Sequence, residues 1–95
     1  MEKEQRIELY KEAINTWGED AQVNMLNEEC GELLAAVAQF KRGRTSRHDV
    51  MTELADASIM IEQIATMMNY DDYEKEKDKK LSRLKERLER YGNNS

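Results

Sequence analysis

The sequence predicts an all-α protein, an antiparallel four-helix bundle that assembles into an oligomer. The 95 residues include no proline and only four glycines, so few positions would interrupt a helix. Charged residues make up 37% of the chain and aromatic residues 6%, a composition typical of helices rather than of β-sandwiches or barrels. Apolar residues also recur at intervals of three and four, which is the period of an amphipathic helix.

The first half of the chain predicts two helices. Residues 3–16 form the first, with apolar residues at Ile7, Tyr10 and Ile14. Gly18 interrupts this pattern, and the second helix is predicted over residues 20–41. Its apolar stripe consists of Leu26, Leu33, Ala36, Val37 and Phe40.

The second half predicts two more helices. KRGRTS, with Gly43 at its centre, is typical of a loop, and Ser46 or Thr45 can cap a third helix over residues 47–69. A turn capped by Asp71 or Asp72 then leads to a fourth helix over residues 72–91. The apolar residues of that helix are Leu81, Leu84, Leu88 and Tyr91. Short connections make consecutive helices antiparallel neighbours.

Length limits the chain to a single domain covering residues 1–95. A domain of this size buries only about two-thirds of its unfolded surface. Because no disulfide framework is available, we expect association into a homo-oligomer, a dimer or a tetramer, to supplement the small core.

The net charge and the composition of individual segments argue against several kinds of binding partner and bear on the cellular location. The net charge of −5 argues against binding to nucleic acid or to anionic membranes. No apolar run approaches the 18 residues of a membrane span. The start, MEKEQRIELYKEA, is too charged for a signal peptide. The single Cys30 fits a reducing compartment, so a cytoplasmic location is expected.

Two pairs of acidic residues interrupt the apolar stripes of the second and third helices. Glu29 lies within its stripe with Glu32 on the edge, and Glu53 and Asp56 repeat this layout. Residues three apart share one helix face, and antiparallel neighbours turn their stripes toward each other. Four carboxylates in an apolar bundle need a counter-charge. The pattern therefore predicts a site for a hard divalent cation, Mg²⁺ or Mn²⁺.

Two alternatives bear on this prediction. An acidic pair on a helix is commonly a solvated face, but two pairs inside apolar stripes on consecutive helices favour a metal site. A di-iron carboxylate bundle requires two Glu-x-x-His motifs. The only histidine is His48 and no such motif occurs, so a di-iron centre is excluded.

The order and spacing of these motifs resemble a known family. Glu-Glu-x-x-Glu in NEECGELL is followed, after 20 residues, by Glu-x-x-Asp in ELADASIMIEQ. This resembles the signature of the MazG-like all-α nucleoside triphosphate pyrophosphohydrolases. The preceding WGEDAQVNML, the KRGR segment and the later Lys-x-x-Lys-Leu-x-Arg extend the resemblance over most of the chain.

The resemblance implies Mg²⁺-dependent hydrolysis of a nucleoside or deoxynucleoside triphosphate to the monophosphate and pyrophosphate. Such activity would serve sanitation or control of the nucleotide pool. Carried over by position, the metal ligands are Glu29, Glu32, Glu53 and Asp56. Glu28 is the candidate base for the attacking water, although the helical wheel places it off the stripe.

Binding of a polyphosphate substrate also requires cationic side chains. Lys77 continues the leucine stripe of the fourth helix, so it can point toward the bundle and bind phosphate, with Lys80 and Arg83 nearby. A solvated face is the alternative for all three, and it is the favoured one for Lys80 and Arg83.

Trp17 and Gln22 are candidates for nucleotide binding, by stacking on the base and by an amide edge. For Trp17 the alternative is a core or subunit-interface residue. Gln22 lies two turns before Glu29 on the same helix face, so it is expected to point inward.

A second class of function fits the same sequence. The chain could be a non-catalytic helical assembly or binding module with at most a vestigial metal or nucleotide site. The leucine spacing and many charges of the fourth helix would serve such a module equally well.

Overall fold

The computed structural model describes residues 1–93 of the chain, which form four α-helices and contain no strand. The predicted all-α class with four helices is confirmed. Every predicted helix boundary lies within two residues of the observed one. The helices are α1 (Lys3–Trp17), α2 (Glu19–Lys41), α3 (Arg47–Met68) and α4 (Tyr70–Asn93).

The starts of α3 and α4 are set by side-chain caps. Ser46 precedes α3, and its hydroxyl accepts a hydrogen bond from the Asp49 N–H at 3.1 Å, as predicted. The prediction that Asp71 or Asp72 caps α4 was wrong. Asn69 takes that role because its Oδ1 accepts from the Asp72 N–H at 3.1 Å. The helix therefore begins two residues earlier than predicted, and both aspartates lie in its first turn, where negative charge favours the helix dipole.

Gly18 alone connects α1 to α2. Its φ of 90° lies in the left-handed region, which glycine adopts without the steric cost of a Cβ. Its N–H donates to the Ile14 carbonyl at 2.8 Å and ends α1. This single residue joins α1 to α2, and α1 packs on both α2 and α3.

The packing of the helices is uneven. The α2–α3 interface is the largest, α1 packs on both of these helices, and the backbone of α4 lies close to α3 alone. The radius of gyration is 16.6 Å, against about 12 Å for a compact domain of this length. The described chain is therefore elongated. None of its helices combines the length and apolarity needed to cross a membrane.

The core within one chain is small. The buried apolar residues are Tyr10, Ala57, Met60 and Ala65. In the predicted stripe of α2, Leu26, Leu33 and Ala36 are half-buried, but Val37 and Phe40 are exposed. No described helix covers that end of the stripe.

A hydrogen-bonded network on the other face of α3 ties three helices together. The Glu62 carboxylate accepts from the Tyr10 hydroxyl at 2.5 Å, from the Tyr70 hydroxyl at 3.1 Å and from Arg6 Nε at 3.4 Å. Burial alone would raise the pKa of Glu62, but these donors outweigh it and lower that pKa. Burial, together with the Glu62 charge, raises the pKa of Tyr10 to about 12. The periodicity of the sequence did not indicate these partners of Glu62.

Candidate metal centre

Three of the predicted ligands meet between α2 and α3. Glu29, Glu53 and Asp56 each offer a carboxylate oxygen, and these three oxygens lie within 4.8 Å of one another. The meeting requires residue 29 to face residues 53–56, which follows from the reversal of the chain between Lys41 and Arg47. Glu29 and Glu53 are half-buried and Asp56 is exposed, so the group lies at the rim of the interface and is open on one side.

Glu32 lies beside this group. Its side chain is exposed, and its negative charge acts on both Glu29 and Glu53. The sequence predicted that four carboxylates converge. Three of them lie within mutual reach, and the fourth, Glu32, lies beside them.

The electrostatics of the group are unfavourable without a cation. Burial, followed by the charges of Glu32, Asp56 and Glu53, raises the pKa of Glu29 above its ordinary value. Burial and the charge of Glu32, with that of Asp56, raise the pKa of Glu53 in the same way. The described part of the chain places no lysine or arginine in a salt bridge with either residue.

Two oxygen atoms of the group lack partners. Oε2 of Glu29 and Oε2 of Glu53 are buried, and neither has a hydrogen-bond partner among the described residues. Buried carboxylate oxygens are normally hydrogen-bonded or bound to a metal. An all-oxygen donor set of acidic side chains suits a hard divalent ion. Glu29, Glu53 and Asp56 therefore fit Mg²⁺, with Glu32 available as a further donor.

Glu28, the candidate base, lies at the margin of this group. It precedes Glu29 on α2, its side chain is exposed, and it is outside the set of three carboxylates within 4.8 Å. Its position off the stripe agrees with the helical wheel.

Trp17 and Gln22 border a cavity whose lining includes none of the acidic residues of the group. Gln22 is buried, with 3% of its surface exposed, whereas Trp17 is 67% exposed. Within one chain Trp17 is therefore not a core residue. A cavity of about 410 Å³ is lined by Trp17, Ala21, Gln22, Met25, Met60 and Gln63.

Gln63 lines that cavity and was missed from the sequence. Only 9% of its surface is exposed, and its Oε1 is buried without a hydrogen-bond partner among residues 1–93. One signal was available, because Gln63 follows Asp56 by seven residues and so shares its helix face. A glutamine in an apolar stripe is a weaker signal than a pair of acids.

The predicted phosphate-binding cations lie on α4. Lys77 Nζ lies 5.9 Å from the centre of the Tyr73 ring, a cation–π distance. Lys80 and Arg83 are exposed. Since the α4 backbone lies close to α3 alone, these cations are not brought into contact with the acidic group in the described chain.

Comparison of the chain with protein-family models, with curated protein sequences and with solved structures finds no match in any of the three. The likeness to the MazG-like family therefore stays a prediction from motif order and spacing.

Proposed function

We propose that this protein is a Mg²⁺-dependent nucleotide pyrophosphohydrolase that cleaves a nucleoside or deoxynucleoside triphosphate to the monophosphate and pyrophosphate. The observation that carries the proposal is the pair of buried, unpartnered oxygens of Glu29 and Glu53 beside Asp56. Such a group is costly unless a cation binds to it, and a triphosphate is an anion that divalent cations commonly accompany.

In this proposal the acidic side chains hold the cation at the rim of the α2–α3 interface. Glu29, Glu53 and Asp56 are its ligands, with Glu32 as an additional one, and Mn²⁺ can substitute for Mg²⁺ because both prefer oxygen donors. When bound, the cation would neutralise phosphate charge and stabilise the leaving pyrophosphate. The exposed side of Asp56 leaves an approach for the substrate.

The reaction adds one water molecule across the anhydride bond between the α and β phosphates. The water oxygen bonds to phosphorus, the bridging bond breaks, and the proton of the water must be accepted by a base. We assign this task to Glu28, which is exposed to solvent one residue before a ligand. Glu28 can accept the proton of the water without contacting the cation directly.

The remaining groups would bind the substrate away from the reacting bond. Lys77, Lys80 and Arg83 are proposed to bind phosphate, and Trp17 and Gln22 to bind the nucleoside. Because the cations of α4 do not contact the acidic group within one chain, they could reach it from a neighbouring subunit.

A homo-oligomer, dimer or tetramer, is part of the proposal. It is supported by the small buried core and by exposed apolar side chains near the end of α2 and in the second half of α4, including Phe40, Leu84 and Leu88. Covering such residues is favourable by about 25 cal/mol per Å² of apolar surface. Sedimentation of the wild type and of Phe40→Glu measures the oligomeric state. A monomeric wild type would reject the oligomer.

The test of the activity is direct. Purified protein is incubated with each common NTP and dNTP, and with uracil and modified nucleotides, in Mg²⁺, and release of pyrophosphate is measured. We expect turnover of at least one nucleotide that is abolished by chelation of the metal. Absence of turnover on the whole panel would reject the function.

A second candidate function is a non-catalytic assembly module, and one observation favours it. The exposed residues Leu81, Leu84, Leu88 and Tyr91 give α4 an apolar face with no described partner. Asp56→Ala separates the two functions. An enzyme loses activity and Mg²⁺-dependent thermal stabilisation, whereas a pure scaffold without a metal site shows no metal response even before substitution.

A further inference from the structure

The buried amide of Gln63 has no assigned role and no hydrogen-bond partner for its oxygen. More than nine-tenths of its surface is covered, and Oε1 is among the few buried side-chain atoms of the described residues without a partner. A methionine or leucine would fill the same place without leaving a polar atom unsatisfied. A ligand that donates a hydrogen bond would supply the partner.

Gln63 lines two cavities together with an aromatic side chain. Gln63 and Trp17 both line the cavity of about 410 Å³ and also a second cavity of about 600 Å³ between α1 and α3. The Trp17 indole is largely exposed at their boundary. Aromatic rings of this kind bind nucleobases by stacking.

The positions of Gln22 and Gln63 along their helices relate this cavity to the acidic group. Gln63 follows Asp56 by seven residues on α3, and Gln22 precedes Glu29 by seven residues on α2. Seven residues are two helical turns, so each glutamine lies about 10 Å along its helix from its acid and on the same face. Gln22 and Gln63 line one cavity, so both displacements run in the same direction.

We propose that Gln63 determines base specificity by binding the hydrogen-bonding edge of the nucleobase in the Trp17–Gln22–Gln63 cavity. This inference rests on the proposed function, because it takes the phosphates to be at the acidic group and the base one pentose away. A primary amide offers an acceptor and a donor side by side, which match a base edge bidentately. The ligand is therefore a nucleotide, recognised by its base as well as by its phosphates.

The test compares binding of two probes in Mg²⁺ by calorimetry. One is the set of deoxynucleoside triphosphates with a methylene group in place of the α–β bridging oxygen, and the other is inorganic tripolyphosphate. We expect Gln63→Met to weaken binding of the preferred analogue by about 10-fold to 100-fold and to abolish preference among bases. Binding of tripolyphosphate should not change.

Methionine is used because it nearly conserves volume while removing the amide. The melting temperature of Gln63→Met should equal or exceed that of the wild type, since a buried unsatisfied oxygen is lost. Gln39→Met, on a half-buried residue near the end of α2 that lines none of these cavities, is the matched control and should bind every probe as the wild type does.

The outcomes separate this inference from the activity. If the wild type releases pyrophosphate but Gln63→Met keeps the same affinity and preference, the role of Gln63 is rejected and the function stands. If no nucleotide is hydrolysed but an analogue binds through Gln63, the inference survives as a nucleotide site. If no analogue binds more tightly than tripolyphosphate, the inference is overturned.

Discussion

Oε2 of Glu29 on α2 and Oε2 of Glu53 on α3 are both buried without a hydrogen-bond partner in the described part of the chain, and one oxygen from each carboxylate lies within 4.8 Å of the other. Two carboxylates that are close and poorly solvated repel each other and disfavour folding while both are charged. Binding of a cation between these carboxylates would therefore stabilise the folded protein. The first prediction follows from this relationship.

Removing one charge from the group should stabilise the metal-free protein and destroy its response to Mg²⁺. We expect Glu53→Gln to melt at a higher temperature than the wild type in a chelator, because a repulsive buried charge is lost. Added Mg²⁺ should raise the melting temperature of the wild type but not that of Glu53→Gln. Glu89→Gln, on exposed α4, is the control. A wild type that ignores Mg²⁺ would contradict the assigned site.

Glu28 should be needed for turnover but not for metal binding. We expect Glu28→Gln to lower kcat by about 10²-fold to 10⁴-fold, the usual contribution of a general base. Its Mg²⁺-dependent rise in melting temperature should equal that of the wild type, because Glu28 lies outside the group of ligands. Pyrophosphate release and thermal melting, measured on the same preparation, check both parts. Retention of wild-type kcat would show that another group accepts the proton.

The hydrogen bond from Tyr10 to Glu62 should contribute to stability. Tyr10 is buried, and its hydroxyl donates to a charged carboxylate. We expect Tyr10→Phe to lower the free energy of unfolding by about 2 kcal/mol, within the usual range for a bond to a charged group. Urea denaturation of the wild type and of Tyr10→Phe measures this difference in the free energy of unfolding. Tyr91→Phe, at an exposed position, should leave the stability unchanged, and equal effects of the two substitutions would refute the assignment.

The Glu62 network also predicts acid sensitivity. Its donors lower the pKa of Glu62 below the ordinary value of 4.5, so folding favours the charged form. This contribution is complete above the unfolded pKa and is lost as the pH falls through the folded pKa. The stability difference between the wild type and Glu62→Gln should therefore be constant above about pH 5.5 and should shrink below about pH 4.5.

Denaturation at several pH values gives this difference directly. In a Tyr10→Phe background the acid-dependent part should be smaller, because one of the donors to Glu62 is absent. A difference that does not vary with pH in either background would mean that Glu62 has the same pKa in the folded and unfolded chain.

Local sequence features were enough to predict the helices. The spacing of apolar residues, Gly18 as a break and Ser46 as a cap are all contained in short segments, and the structure agrees with them. The prediction for the start of α4 named Asp71 or Asp72 as the cap, whereas Asn69 takes that role. All three can cap a helix, so composition alone could not decide between them.

By itself, the sequence determined the four helices and the two acidic pairs, Glu29 with Glu32 and Glu53 with Asp56, because helical period and i,i+3 spacing act within a few residues. Only the tertiary structure decided which acids meet closely, which oxygens lose their partners, and that Glu62 becomes half-buried and Gln63 buried. Those properties depend on which side chains of distant segments come together. Two residues of similar polarity, one solvated and one buried, look the same in a sequence until the helices pack.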